Sequence, residues 1–256
     1  MYKKVLATAA VAALSTLGLT APTADATHSW GGYHWARTSN PFTVKLGDNV
    51  DSRWDSYLAT SSTDWSVSSV LDTVVVPGGT TGKKCAATLG RVEVCNAAYG
   101  QRGWLGLASI NLSGSHITQG TVKLNDTYFD TAKYNTPAWR NLVMCQEVGH
   151  DFGLDHQDED FNNADLGTCM DYSNNAEPNQ HPNTHDYAML ESIYSHTDST
   201  STVSGQTAGK SSVTRVGNTP RSWGHLVDGS RAEGASTYVR DFGGGHKTVT
   251  HVFWAR

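Results

Sequence analysis

Polar and apolar residues alternate from Phe42 through Thr43, Val44 and Lys45 to Leu46, directly after Pro41, which is the pattern of a half-buried strand. The period then changes. Trp54, Tyr57, Leu58, Ser61 and Trp65 recur at helical spacing behind Asp51 and Ser52, residues suited to capping a helix. Strand-like runs follow at 71–76, 91–94, 104–112 and 121–125, separated by Gly- and Asn-rich turns. A second helix is predicted from Thr136, a capping residue followed by Pro137, to Gly153, where a helix stops. Along it Trp139, Leu142, Val143, Gln146 and His150 share one stripe, with Glu147 beside it, so the buried face ends in polar groups. A third helix reads from 184 to 196, with Tyr187, Leu190 and Tyr194 on its inner face. The class is α/β, with a four- or five-stranded twisted sheet carrying helices.

Both ends of the chain look different from this middle. Lys3 and Lys4 precede an apolar, Ala-rich run, and Ala24-Asp25-Ala26 has the small-x-small form of a cleavage site, so residues 1–26 read as a signal peptide. The run is interrupted by Thr8, Ser15, Thr16, Gly18 and Thr20, which argues against a stable membrane anchor. Residues 199–212 are Ser, Thr and Gly with almost no large apolar side chain, as in a flexible linker. Residues 213–256 read as a small C-terminal β appendage, with strand-like pieces at 236–240 and 247–254 around Gly243, Gly244 and Gly245. Those glycines precede a strand rather than a helix, so they predict a tight turn and not a phosphate loop. The main domain is left with residues 27–198.

The formal charge of −5 becomes −6 once Lys3, Lys4 and Asp25 are removed with the leader, so nothing favours a polyphosphate partner. The reading is a secreted, extracellular, acidic monomer. Export places Cys85, Cys95, Cys145 and Cys169 in an oxidising compartment, where an even count favours disulfides. Cys85 and Cys95 flank a short strand, so a local bridge closes a small loop and leaves Cys145 for Cys169. A four-thiolate metal site finds no C-x-x-C pair to support it.

The chemistry concentrates between 136 and 172. Gln146-Glu147-Val148-Gly149-His150-Asp151-Phe152-Gly153-Leu154-Asp155-His156 matches H-E-x-x-H-x-x-G-x-x-H at every fixed position but the first. Four fixed identities at about 5% each give chance odds of about one in a thousand over this length. The segment resembles the metzincin clan of zinc endopeptidases, in which two helical His one turn apart and a third beyond a Gly bend hold the metal. Side chains at i and i+4 project together, and the Gly lets the chain turn back toward the ion. Downstream, Cys169-Met170-Asp171-Tyr172 is similar to the clan's Met-turn, and Tyr172 to the tyrosine that some members use as a transition-state hydrogen-bond donor. A Cys145–Cys169 bridge would tether the motif helix to that turn.

The resemblance implies a metzincin-like zincin domain with a mixed twisted sheet of four or five strands and long helices. It implies a zinc endopeptidase in which Gln146, His150 and His156 hold Zn²⁺, Glu147 is the general base and Tyr172 steadies the oxyanion. A polypeptide substrate would lie along the 104–112 strand by edge pairing. Gln146 departs from the pattern: its amide oxygen has the reach of an imidazole nitrogen, but zinc favours N and S donors. Two alternatives stay open. A degenerate relative would act as a secreted, non-catalytic binding protein, and an adhesion or polymer-binding protein would use Trp223, Tyr238 and Trp254 of the tail. His181 and His185 are candidate substitute ligands without a spacing argument. His28, His34, His116, His225, His246 and His251 carry no pattern, and the acidic run Asp151, Asp155, Asp158, Glu159 and Asp160 reads as a solvated face, with calcium open and Asp155 a candidate partner for a metal-bound histidine. The 27–40 stretch has no cysteine, so cysteine-based latency finds no support.

Overall fold

The alternation after Pro41 becomes strand β2 (Phe42–Asn49), with Phe42, Val44 and Leu46 buried on one face. The computed structural model describes residues 28–203 and 216–256, so the signal peptide expected at 1–26 and most of the linker expected at 199–212 lie outside the described residues. Helix α1 (Asp55–Trp65) follows β2 and returns the chain to β3 (Leu71–Pro77), which pairs parallel with β2. β4 (Arg91–Ala97) takes the other side of β2, and β6 (His116–Asn125) lies parallel to β4. The hairpin partner β5 (Trp104–Ser113) runs antiparallel to β6. A two-residue strand β1 (His34–Trp35) joins the start of β6. After β6 come a single helical turn α2 (Asp126–Phe129), the motif helix α3 (Pro137–His150) and α4 (Thr184–Ile193).

The expectation of a four- or five-stranded sheet with long helices and a separate β appendage does not hold. Among the described residues the sheet has nine strands, in the order β3-β2-β4-β6-β5-β9-β8-β7, with β1 beside β6. Even the longest helix among the described residues, α3, has only 14 residues. The C-terminal segment enters the sheet through α5 (Pro220–Trp223), β7 (His225–Ser230), β8 (Ala235–Gly243) and β9 (His246–Trp254). β9 is a central strand, antiparallel to β5 on one side and to β8 on the other. Its run of seven buried residues from Thr248 suits a strand covered on both faces, where strict alternation is lost. The glycine triplet forms the β8–β9 turn, as its position suggested. Trp223 and Trp254 are buried in a small second core with Tyr99, Trp104, Leu107, Val216 and Val252, so they offer no exposed aromatic platform. The edge of β5, where a substrate strand was expected, is filled by β9 from Trp104 opposite Trp254 to Ser113 opposite His246.

The main core lies between the sheet and α1, α3 and α4, with Trp35, Trp54, Trp65, Phe129 and Phe152 fully buried. The two disulfides are Cys85–Cys95 and Cys145–Cys169, each with Cα atoms 5.9 Å apart. They fit an oxidising, extracytoplasmic setting. Among the described residues no helix is long and apolar enough to cross a membrane.

Candidate metal centre

Helix α3 starts where Thr136 accepts a hydrogen bond from the N–H of Trp139, with Pro137 inside the first turn. Its last turn is buried on every side although it carries Gln146, Glu147 and His150. Three features hold that turn in place. The Cys145–Cys169 disulfide ties it to the Met170 loop. Trp65 donates its indole N–H to the carbonyl of Cys145. Beyond the helix, Gly153 has φ +93°, and a Cβ there would sit 2.1 Å from the carbonyl oxygen of Tyr33, so glycine is required twice over. The chain thus reverses tightly enough for His156 to return beside His150, their Nε2 atoms 3.1 Å apart.

The third imidazole is His251 of β9. Ligand atoms of His150, His156 and His251 all lie within 4.8 Å of one another, and all three residues are buried. Ring centroids are 4.1 Å apart for His150 and His251 and 4.4 Å for His156 and His251. His150 donates Nδ1–H to the carbonyl of Leu154, which leaves its Nε2 as a lone pair. His251 Nδ1 lies 3.5 Å from Glu147 Oε2, and its Nε2 has no hydrogen-bond partner among the described residues. Trp30 stacks flat on the His150 ring at 4.8 Å.

Gln146 is placed differently from its motif role. Its Nε2 donates to the carbonyl of Cys169 at 2.7 Å, fastening α3 to the turn below, while its Oε1 is buried and unpartnered among the described residues. Met170 is fully buried beneath the helix, close enough to Gly149 that a Cβ there would meet its sulfur at 2.8 Å. Tyr172 packs its ring 3.9 Å from that of His156 and is 4% exposed. Asp155 accepts the backbone N–H of His156 and reaches within 3.4 Å of its Nδ1. His181 and His185, the candidate substitutes, stand elsewhere: His181 pairs with Asp64, and His185 stacks on His28.

Burial dominates the electrostatics. Desolvation lowers His150 to about 4 and holds His156 and His251 well below the usual imidazole range, so all three are neutral donors at neutral pH. Glu147 is raised well above the carboxylate range by burial and by the nearby Asp151, against one backbone hydrogen bond from Ala108. Asp151, one turn further on, is raised by burial and has both oxygens unpartnered among the described residues. The Tyr172 phenol is held protonated by burial and by surrounding carboxylates, Glu159 foremost.

Sequence reasoning missed His251 and Asp151. His251 sits 101 positions after His150 in an unpatterned strand, and only strand pairing brings it in. The signal for Asp151 was its i+4 spacing from Glu147, which puts two carboxyls over Gly106 and Gly120, where no Cβ would fit.

Zinc fits this donor set. Three neutral imidazoles whose ligand atoms lie within 4.8 Å of one another are the donor chemistry that zinc favours, and the Glu147 carboxyl lies against His251. No family model matches the sequence, and no curated protein is similar enough to it to assign a family.

Proposed function

We propose that this protein is a secreted zinc-dependent endopeptidase, held in the described conformation with its substrate edge closed. The observation that carries the reading is the convergence of His150, His156 and His251 beside the buried carboxyl of Glu147, inside a segment resembling the metzincin motif. His150, His156 and His251 would hold the zinc ion, which supplies Lewis acidity toward a peptide carbonyl. The chain's own groups do the rest. Glu147, whose carboxyl is held well above the usual carboxylate range by burial in the closed form, would take a proton from the attacking water once the site is solvated and then deliver it to the leaving amine. Tyr172, kept as a phenol, donates a hydrogen bond to developing negative charge. Gln146 and the Cys145–Cys169 bridge fix the helix over the Met170 turn so that these groups keep their places. A peptide pairing with β5 has to displace β9, which now occupies that edge and carries His251, so the substrate-bound form would keep its zinc on His150 and His156.

One observation favours a second reading, a non-catalytic binding protein. Glu147 Oε2 lies 3.5 Å from His251 Nδ1, the arrangement in which a carboxylate orients a metal-bound imidazole in a closed structural site. The Glu147→Gln chain separates the two. The peptidase reading predicts zinc in the purified protein by elemental analysis and casein hydrolysis that stops with chelator. It also predicts that Glu147→Gln keeps its metal while losing at least about 100-fold in rate. A parent chain that binds zinc, never cleaves casein, and loses about 10–100-fold in zinc affinity on Glu147→Gln supports the second reading. Undiminished proteolysis by Glu147→Gln rules out the proposed mechanism.

A further inference from the structure

A second group of imidazoles is built from residues that take no part in the centre above. His34 lies in β1, His116 opens β6, and His196 with Asp198 follows α4. The strand register sets His34 directly opposite His116. From this geometry we infer a structural site for a divalent transition-metal cation, zinc by donor chemistry, held by His34, His116, His196 and Asp198.

Each donor is aimed by a partner. His34 Nδ1 sits 2.8 Å from the carbonyl of Gly32 and donates to it, so its Nε2 carries the lone pair. Asp198 Oδ2 accepts from the backbone N–H of Arg37 at 3.2 Å and from its guanidinium at 3.0 Å, leaving Oδ1 to face the imidazoles. From that oxygen the Nε2 atoms of His116, His34 and His196 are 3.3, 3.5 and 3.9 Å away. His196 Nε2 is 3.2 Å from His34 Nε2. Two donors each about 2.0–2.1 Å from a tetrahedral ion are about 3.4 Å apart, and the four separations straddle that value. The ligand atoms of His34, His116 and Asp198 lie within 4.8 Å of one another, while His196, outside that group, comes close to His34 and Asp198 and completes the set by turning its half-exposed ring.

Three imidazoles with one carboxylate is an N₃O donor set that suits zinc better than calcium or magnesium, which take oxygen ligands. The inner donors, His34 and Asp198, have side chains only 7% and 12% exposed, whereas His116 and His196 are 35% and 49% exposed. Two donors are therefore fixed, and two stand on the solvent side where an ion enters. The cation would join three separate stretches of chain. It would also anchor the N-terminal segment whose Trp30 stacks on His150, although β1 itself has only two residues. Ion-free, the same atoms form a hydrogen-bonded network around Asp198, and the two arrangements differ in a measurable way.

The test uses the full chain with His150→Ala and His156→Ala, which removes the first centre and makes the outcome independent of the endopeptidase reading. Zinc titration against a chromophoric chelator should give one ion per chain. At metal 100-fold above Kd the melting midpoint should rise by about 5–10 °C. Adding His116→Ala should abolish both effects, and His196→Ala should weaken binding by more than about tenfold. If the double variant does not fold, elemental analysis of the parent should give two zinc ions and of His116→Ala one, since His116 is a partly exposed hairpin residue. Equal zinc content and equal midpoint shift with and without His116 would overturn the site.

Discussion

The identity of the third donor is open to a direct measurement, the loss of zinc affinity in His251→Ala compared with Gln146→Ala. His116→Ala is used as background so that only the His150 centre is read. In the parent, a ring nitrogen of His251 lies within 4.8 Å of the His150 and His156 donor atoms, and its Nε2 has no hydrogen-bond partner among the described residues. Removing a residue that only orients a ligand costs about 10–100-fold in affinity, so loss of a ligand should exceed about 100-fold, or about 2.8 kcal/mol at 1.4 kcal/mol per decade. Gln146 differs in kind. Its Nε2 satisfies the Cys169 carbonyl at 2.7 Å, so Gln146→Ala strands a buried acceptor and should cost about 1–3 kcal/mol of folding stability. Its effect on zinc should stay within the orienting range. Competition titration with a chelator of known affinity gives both constants, and urea unfolding of the metal-free chains gives both stabilities. If His251→Ala holds zinc within tenfold of its parent while Gln146→Ala abolishes binding, the carboxamide is the donor and the role assigned to β9 is wrong.

Three further outcomes follow from particular contacts. Gly153→Ala should lose about 2–4 kcal/mol in urea unfolding, because the site combines φ +93° with a Cβ 2.1 Å from the Tyr33 carbonyl; a loss under 0.5 kcal/mol would mean that the turn relaxes freely. Replacing both Cys145 and Cys169 by Ser opens a bridge with a sequence separation of 24, worth about 3.5 kcal/mol by loop entropy, against about 2.7 kcal/mol for Cys85–Cys95 with its separation of 10. Reversed ranking of the two would show that entropy is not what these bridges contribute. Glu159 is raised to about 7 by burial and by Asp228 of β7, so the folded chain binds this proton more tightly than the unfolded one. The resulting stability is complete below about 4.5 and disappears as pH rises through 7. Exposure screens the effect to about 1 kcal/mol or less, and Glu159→Gln should flatten the slope across that window.

Local chemistry made the left half of the sheet and the helices legible. The Pro41 strand start and the Thr136-Pro137 cap depend on neighbours in sequence and appear where the pattern puts them, while the helix read to Gly153 ends at His150, three residues before the glycine turn. The strands that were missed are those whose signal is not local. β1 is two residues long and exists only because His34 and Trp35 find β6. β7, His225–Ser230, is an exposed edge with no buried alternation to detect. The appendage was misjudged because a Ser- and Gly-rich stretch looks like a boundary, whereas β9 has apolar residues on both faces and so demands cover on both. Its buried Val249, Val252 and Phe253 carried that demand in the sequence.

The site shows the same division, with a consequence for how the protein works. Motif spacing fixes His150, Glu147 and His156 because a helix and one glycine turn set their separation. It is silent about His251, whose place depends on a pairing between β5 and β9 more than a hundred residues apart in sequence. That pairing uses the same backbone edge that a bound peptide would use. In the endopeptidase reading, the segment that completes the imidazole cluster is therefore also the one that excludes substrate, and the two roles are coupled. Moving β9 exposes β5, but it also withdraws His251 and unburies Glu147, lowering the carboxyl's pKa toward the range of a base. An opened chain would then hold its metal with two imidazoles, His150 and His156. On this argument His251→Ala should weaken zinc binding yet raise the casein-cleavage rate per bound zinc ion. An unchanged rate per ion would separate closure from coordination.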